Sequence, residues 1–398
     1  MKLSTDEVLK NLLNYIENEN YKGWDPYDLL NSNFLKHSPF YSLSFFRLLF
    51  IQLGKRSPLN FRRFLNVPKE YNSKGLALIL VGYTNLYRIS IKGNTRFGNP
   101  ETLKKKIEYL SDLLMKRSCA GYSGACWGYN FPWQARNLFY FPKETPTVVA
   151  TSFCSEALFK SYEITKNQLY LDTALSSANF ILKDLNKKIK KNGDKIISYS
   201  PIPGNDEVFN ASALGAKVLS YCYKYTENIE FQKEAKKIIS YVASEQEDDG
   251  SWAYGKNKVQ NWKDSFHTGY IIESMNVYQK FCNDFSYKKV IEKGFDFYIN
   301  NFFMKDGTPK YYDKKIYPVD IHCPAQLWNT LYELRLLENH KIIADKVYNW
   351  TVENLYNKDG YFYYQKNRFF RSKISYMRWS NAFVFKGLSC FELYKNEI

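Results

Sequence analysis

The sequence predicts an all-α fold, an (α/α)6 toroid of inner and outer helix pairs with long aromatic loops on one face. Three observations carry that expectation. A helix–turn–helix unit recurs along the chain. The first helix of each unit is apolar nearly all round, whereas the second has a Lys/Glu face, so the first belongs inside and the second outside. Connections within a unit are a few residues long, and those between units are much longer.

The repeat is plainest in residues 147–185 and 208–246. Each runs from a small-residue-rich helix through a T-x-N turn into a charged helix. It recurs at 265–302 and 320–355, and 376–394 supplies a last first-helix. Residues 74–89 and 100–117 form an earlier unit. With Thr147, Asn210, His267, His322 and Trp379 taken as equivalent first-turn positions, the spacings are 63, 57, 55 and 57. Six pairs close a ring if the N-terminal helices (about 4–20 and 40–53) supply the missing outer helix. The chain thus reads as a single toroid domain, 1–398, with helices of 1–73 packing on repeats of 74–398. Strand is expected only in short loop hairpins. The apolar stretch Phe40–Leu53 reads as a helix buried against the toroid, with Arg56, Arg62 and Arg63 at its solvated edge. The alternative for this block is peripheral contact with a membrane.

Composition narrows the function classes. An apolar fraction of 45% excludes a disordered chain, and no run approaches the roughly 18 apolar residues of a membrane span. The N-terminus is a polar helix pattern unlike a signal peptide. Seven cysteines, an odd number without a CxxC pair, read as reduced thiols in a cytoplasmic protein, at most associated with the inner face of the membrane. The net charge of +16 permits nucleic acid, an anionic membrane or an acidic substrate. The lysines lie mostly on helix faces, as at 102–110 and 182–191, and no nucleic-acid module is present. Nucleic acid is therefore not an expected partner. An acidic oligosaccharide or polysaccharide, free or lipid-linked, is.

The long connections, at 121–142, 194–207, 248–262, 306–318 and 359–374, all fall on the face bearing the inner-helix N-termini. Long loops on a rigid scaffold commonly carry sites, and helix N-termini favour anions. The functional face is expected there.

Residues 246–252, QEDDGSW, resemble the Q…G-x-W signature of squalene-cyclase and prenyltransferase-like toroids, with DG at 306–307 and 359–360 as eroded copies. Over its whole length the chain resembles a family encoded in prokaryotic surface-polysaccharide gene clusters. The segments carrying this likeness are 21–32, 121–134, FHTGY (266–270), 310–322 and 361–383. The α/α domain of glucuronyl C5-epimerases is similar at a greater distance. The resemblance implies a role in surface-glycan biosynthesis and no particular reaction.

Candidate chemistry centres on His267 and His322, two of only four histidines, at matching repeat positions. Asp264 and Asp320 lie close before them, placed to cap a helix, orient an imidazole or act as acid or base. Other first-turn residues are Glu207, Asn210, Arg378 and Trp379; Arg378 suits a carboxylate or phosphate clamp, or a salt bridge to Asp264 or Asp320. Among loop aromatics, Trp127, Tyr129, Trp252, Tyr254 and Tyr363 suit sugar faces, and Tyr312 suits proton transfer. No cofactor is expected, and no metal: HExxH and paired CxxC are absent, and Cys323 would point away from its neighbour His322. The aspartate-rich motif of isoprenoid cyclases is absent as well.

These residues favour a carbohydrate-active enzyme performing uronate epimerisation or β-elimination. His267 or His322 would be the base, a loop tyrosine the proton donor and Arg378 the carboxylate clamp. A glycoside hydrolase is the alternative, with a pair drawn from Asp264, Asp320 and Glu207 spaced roughly 5–5.5 Å apart for retention or 6.5–9.5 Å for inversion. A non-catalytic glycan-binding or assembly-scaffold protein is the third reading.

Overall fold

The computed structural model describes residues 3–135 and 139–397; residues 136–138 of the aromatic loop 121–142 lie outside them. The chain forms α1 (Thr5–Asn18), α2 (Asn33–Lys36), α3 (Ser44–Arg56), α4 (Ser73–Ser90), α5 (Pro100–Met115), α6 (Val148–Thr165), α7 (Gln168–Asn179), α8 (Phe209–Thr226), α9 (Ile229–Ser244), α10 (Ser265–Cys282), α11 (Lys288–Phe302), α12 (His322–Glu333), α13 (Lys341–Leu355) and α14 (Phe383–Lys395). A π-turn over Met377–Ala382 leads into α14.

The inner ring is α4, α6, α8, α10, α12 and α14, buried over most of their length. The outer ring is α5, α7, α9, α11, α13 and α1, several of which bury only one stripe. Among the described residues three small antiparallel sheets decorate the loops: β1 (Trp133–Gln134) with β2 (Tyr140–Phe141); β3 (Lys187–Ile189) with β4 (Lys195–Ile197); and β5 (Val319–Asp320), β6 (Tyr363–Lys366) and β7 (Arg371–Ser375) in that order. The toroid expected from the sequence is the observed fold.

The Q…G-x-W segment belongs to the scaffold. Gln246 donates to the carbonyls of Gly250 and Val290, and the Trp252 indole donates to Val242 O, stitching α9 to α11. Gly250, at φ +91°, lies so close to Lys293 O of α11 that a Cβ would sit 2.4 Å from it. Gly307 stands in the same relation to α13. Gly360 repeats it against Asn11 O of α1, at 2.6 Å. The last copy therefore identifies α1 as the sixth outer helix, and the ring closes between α1 and α14.

Two readings of the N-terminal block are corrected. The helix α3 is not buried against the toroid: only Ile51 and Gly54 are inaccessible, because one face looks into the central cavity and the other into solvent. Arg62 is not at a solvated edge either. It is 1% exposed and bonded to Asp28 at 2.6 Å, its guanidinium also reaching Asp25 O and Gly54 O.

At mid-height the inner ring is plugged by charge. Glu156 meets Lys217 at 2.7 Å, Lys160 at 3.1 Å and Lys386 at 3.6 Å, and Lys160 also meets Glu333 at 3.2 Å. Glu273 accepts from Thr330 and Asn329, each at 2.7 Å, and from Gln326.

Candidate active site

Between the long loops and this plug lies a cavity of about 1040 Å³, at the upper end of ligand pockets. Its lower wall follows from the repeat. The second residue after each inner helix's capping position is Lys74, Val149, Asn210, Phe266, His322 and Arg378, and all six line the cavity. Each of the last four is 56 residues from the next.

This corrects the register used for the histidines. His322 is in step with Phe266 and Arg378, whereas His267 is one position further along its helix. Both nonetheless face the same cavity. Phe266 stacks on His322 (ring centroids 4.2 Å apart) and also touches His267 (4.4 Å).

His267 and Asp264 form a dyad fixed by helix capping. Asp264 is the N-cap of α10, where Oδ1 accepts the His267 backbone N–H at 3.0 Å. Its Oδ2 meets His267 Nδ1 at 2.7 Å and accepts the Trp262 indole at 3.1 Å. An acceptor at Nδ1 places the imidazole proton there and leaves Nε2 as a base, the role of the carboxylate in an Asp–His pair. Asp264 itself has a fully covered side chain.

His322 is held differently. Its Nε2 lies 2.7 Å from the Tyr270 hydroxyl, and its ring is pressed between Phe266 and Phe383. Burial, reinforced by Lys74, His267 and Arg378, holds the imidazole well below its ordinary pKa, so it is neutral. Burial pushes Tyr270 up, so it stays a phenol. We assign the phenol as donor to Nε2, which leaves the imidazole proton on Nδ1. That Nδ1, like Asn210 Nδ2, has no partner among the described residues. Buried polar atoms seldom go unpaired, and a ligand hydroxyl would satisfy both.

Asp320 sits behind His322. It accepts the His322 backbone N–H at 2.9 Å, the Trp379 indole at 2.9 Å and the Gln365 amide at 2.6 Å. Burial nevertheless pushes its pKa up to about 6. The three-donor arrangement requires the carboxylate, so it is intact above that pH and lost as pH falls through it. The Trp379 indole N–H resonance is expected to titrate with a midpoint near 6, and Asp320→Asn to abolish that titration, as read by ¹⁵N–¹H spectra.

Arg378 binds neither Asp264 nor Asp320. Its guanidinium forks onto Asp25, Nε to Oδ2 at 2.5 Å and Nη2 to Oδ1 at 2.8 Å, inside the segment 21–32. Nη1 has no protein partner among the described residues. Lys74, unremarked in the sequence, is the second residue of α4 and 3% exposed. Its Nζ stands over Phe153 (4.1 Å), Phe383 (4.9 Å) and Tyr270 (5.1 Å) and has no hydrogen bond or carboxylate partner among the described residues. Burial, then Arg378, hold its pKa well below the usual range for a lysine. The whole lining has seven Lys or Arg residues against Glu247 and Asp313. Anions are its electrostatic complement.

The remaining candidates divide. Tyr129, Tyr254, Tyr312, Asn210 and Trp379 line the cavity, with Trp133 and Tyr311. Trp127, Trp252, Tyr363 and Glu207 do not. Trp127 is fully covered and donates to Leu114 O, a scaffold role like that of Trp252. Tyr363 lies in β6 against Tyr361, and Glu207 pairs with Lys188 at 3.2 Å. Asp264 and Asp320 lie behind the wall, so none of the three carboxylates expected to form a hydrolytic pair lines the cavity. Among the described residues no three His, Cys, Asp or Glu side chains converge as a metal site. Tyr270, Lys74, Phe266 and Asp25 are the participants that the sequence reading missed. Tyr270 and Phe266 lie within FHTGY, and Lys74 opens the first inner helix, where the repeat register would have found it.

No family model matches the sequence, and no curated protein does. Solved structures do match. The likeness is one of fold. A family 76 glycoside hydrolase (mannosidase) from Bacteroides thetaiotaomicron aligns over 99% of each chain with TM-score 0.65 and 10% identity. A cellobiose 2-epimerase from Bacillus thermoamylovorans covers 83% of this chain and 90% of its own, with TM-score 0.62 and 13% identity. An unsaturated glucuronyl hydrolase specific for heparin covers 99% of this chain and 97% of its own, with TM-score 0.61 and 11% identity. All three are α/α toroids like this chain.

Proposed function

We propose that this protein is a carbohydrate-active enzyme of surface-polysaccharide biosynthesis that acts on an acidic glycan, removing the proton beside a uronate carboxylate. The observation that carries the reading is the pairing of an Asp264–His267 dyad with a Tyr270–His322 pair side by side in one basic cavity. The carbohydrate epimerases and hydrolases that share the fold support the substrate class.

In this scheme His267 Nε2 takes the C5 proton, and Asp264 stabilises the imidazolium that results. The C5–H electron pair passes into the carboxylate, where Lys74 and Arg378 Nη1 offset the developing charge. Tyr270 replaces the loop tyrosine as donor, its hydroxyl turning from His322 Nε2 to the substrate. Delivery of its proton to the opposite face of C5 gives the epimer. If Tyr270 gives its proton to the C4 oxygen instead, the C4–O bond breaks, the C4 group leaves as an alcohol, and the C4=C5 double bond of an unsaturated uronate forms.

Incubation with uronate-containing oligosaccharides in D₂O separates the readings. Epimerisation predicts deuterium at C5, seen by NMR, and elimination predicts an ultraviolet-absorbing unsaturated product. New reducing ends without C5 exchange would sink the proposal in favour of hydrolysis, and binding without turnover would favour a scaffold.

A further inference from the structure

The helix α3 has two apolar stripes, and one of them covers nothing. Leu48, Ile51, Gln52 and Lys55, at helical spacing, line the cavity. On the other side Phe45, Leu49 and Leu53, each four residues from the next, form a second stripe that is 69%, 38% and 50% exposed. The stripe continues beyond the helix. Phe40 and Leu43 precede it, Leu59, Phe61 and Phe64 follow it, and Phe64 is 86% exposed. Folded chains seldom leave so many large apolar side chains together in water without a partner for them.

Charge says which partner. From residue 29 to residue 69 the chain has no Asp or Glu, while it has seven Lys or Arg. Lys36 and Arg63 are exposed, lie outside the cavity lining and make no ion pair among the described residues. Lys69 is paired with Glu19, and Arg62 with Asp28. A protein partner would ordinarily be met by a mixture of charges. An apolar stripe bordered by unpaired cations is instead the complement of a bilayer surface, with apolar side chains among the acyl chains and cations at the headgroups. No helix among the described residues is long and apolar enough to cross a membrane, so this contact would lie in the interface.

We propose that the outer face of α3 and its flanks, from Phe34 to Phe64, docks this protein on a membrane surface containing anionic lipid. The docked helix is the one whose inner face walls the cavity, so the site is held beside the bilayer. The inference does not depend on the reaction at that site.

Co-sedimentation with vesicles tests it. The full chain is expected to bind vesicles of phosphatidylcholine containing about a third phosphatidylglycerol, and to bind pure phosphatidylcholine at least about tenfold more weakly. Phe45→Ser/Leu49→Ser/Leu53→Ser should reduce binding to the anionic vesicles by about tenfold or more. Lys36→Glu/Arg63→Glu, which removes no apolar contact, should do the same and should make the residual binding insensitive to salt. Neither variant alters a residue of the cavity lining, so both should keep the circular dichroism spectrum and cooperative melting of the parent chain, which reports that they are folded. Failure of the unaltered chain to bind anionic vesicles overturns the proposal. So does equal binding to both vesicle types. A dimer in solution that the serine variant dissolves would assign the stripe to a second copy of the chain and overturn it as well.

Discussion

His267→Ala is expected to lower turnover on the true glycan by about 10²–10⁴-fold, the usual contribution of a general base. KM should change little, because Asn210, Lys74 and the aromatic wall still hold the sugar. Asp264→Asn provides the sharper comparison. The amide keeps a side-chain oxygen for the His267 backbone N–H and so preserves the cap. It removes the charge that stabilises an imidazolium, so turnover should fall toward that of His267→Ala while thermal stability barely moves. Steady-state rates and melting temperatures of the two variants check both halves. Full turnover in His267→Ala would end its assignment as the base.

Glu156→Gln is expected to destabilise the fold by about 3–5 kcal/mol, the cost of breaking a buried ion pair from one side. Glu156 faces three ammonium groups, and its removal leaves Lys160, Lys217 and Lys386 with Glu333 and Glu273 as the nearby carboxylates. Burial alone would raise the Glu156 pKa; the three lysines outweigh it and hold the carboxyl well below the ordinary value. A depressed carboxylate pKa stabilises the fold above the unfolded value of about 4.5. That stabilisation is lost as pH falls through the lower, folded-state value. Urea midpoints at neutral and acid pH should therefore show a large gap between the parent and Glu156→Gln that narrows in acid.

The ring was legible in the sequence because its cause is local. Each inner helix is apolar nearly all round, apart from the charges of the plug, and the outer helices carry a charged face, a contrast that survives wherever the repeat occurs. The His267–Asp264 pair was legible for a similar reason, since N-cap and third helical position are three residues apart. Arg378 was found, but not its partner. Asp25 lies 353 residues away in the chain, and no spacing rule reaches that far. Lys74 was passed over because one lysine among many on helices looks like a solvated charge. Its register position, shared with Phe266, His322 and Arg378, is the signal that marks it as facing inward. The tryptophans misled in the opposite direction: Trp127 and Trp252 stand in loops, yet their indoles are spent on backbone carbonyls of neighbouring helices. For α3 the sequence identified an apolar helix but could not tell which face would find a partner.

The seam between α1 and α14 has a consequence for how the molecule comes into being. Thr5 bonds Glu392, Gly360 seats on Asn11, and Arg378 holds Asp25, so early residues wait for late ones. During synthesis the intermediate repeats can stack on their neighbours as they emerge, but the first helix, though it meets Tyr83, Arg96 and Lys106 early, cannot complete its packing until the last repeat arrives. The long loop closed by that meeting has an entropic cost that local contacts do not have. A nascent chain halted before residue 376 would hold five of the six inner helices and both histidines, but no cationic clamp and no finished floor. The cavity is thus completed in the final step of assembly, and a partly made chain lacks part of its wall.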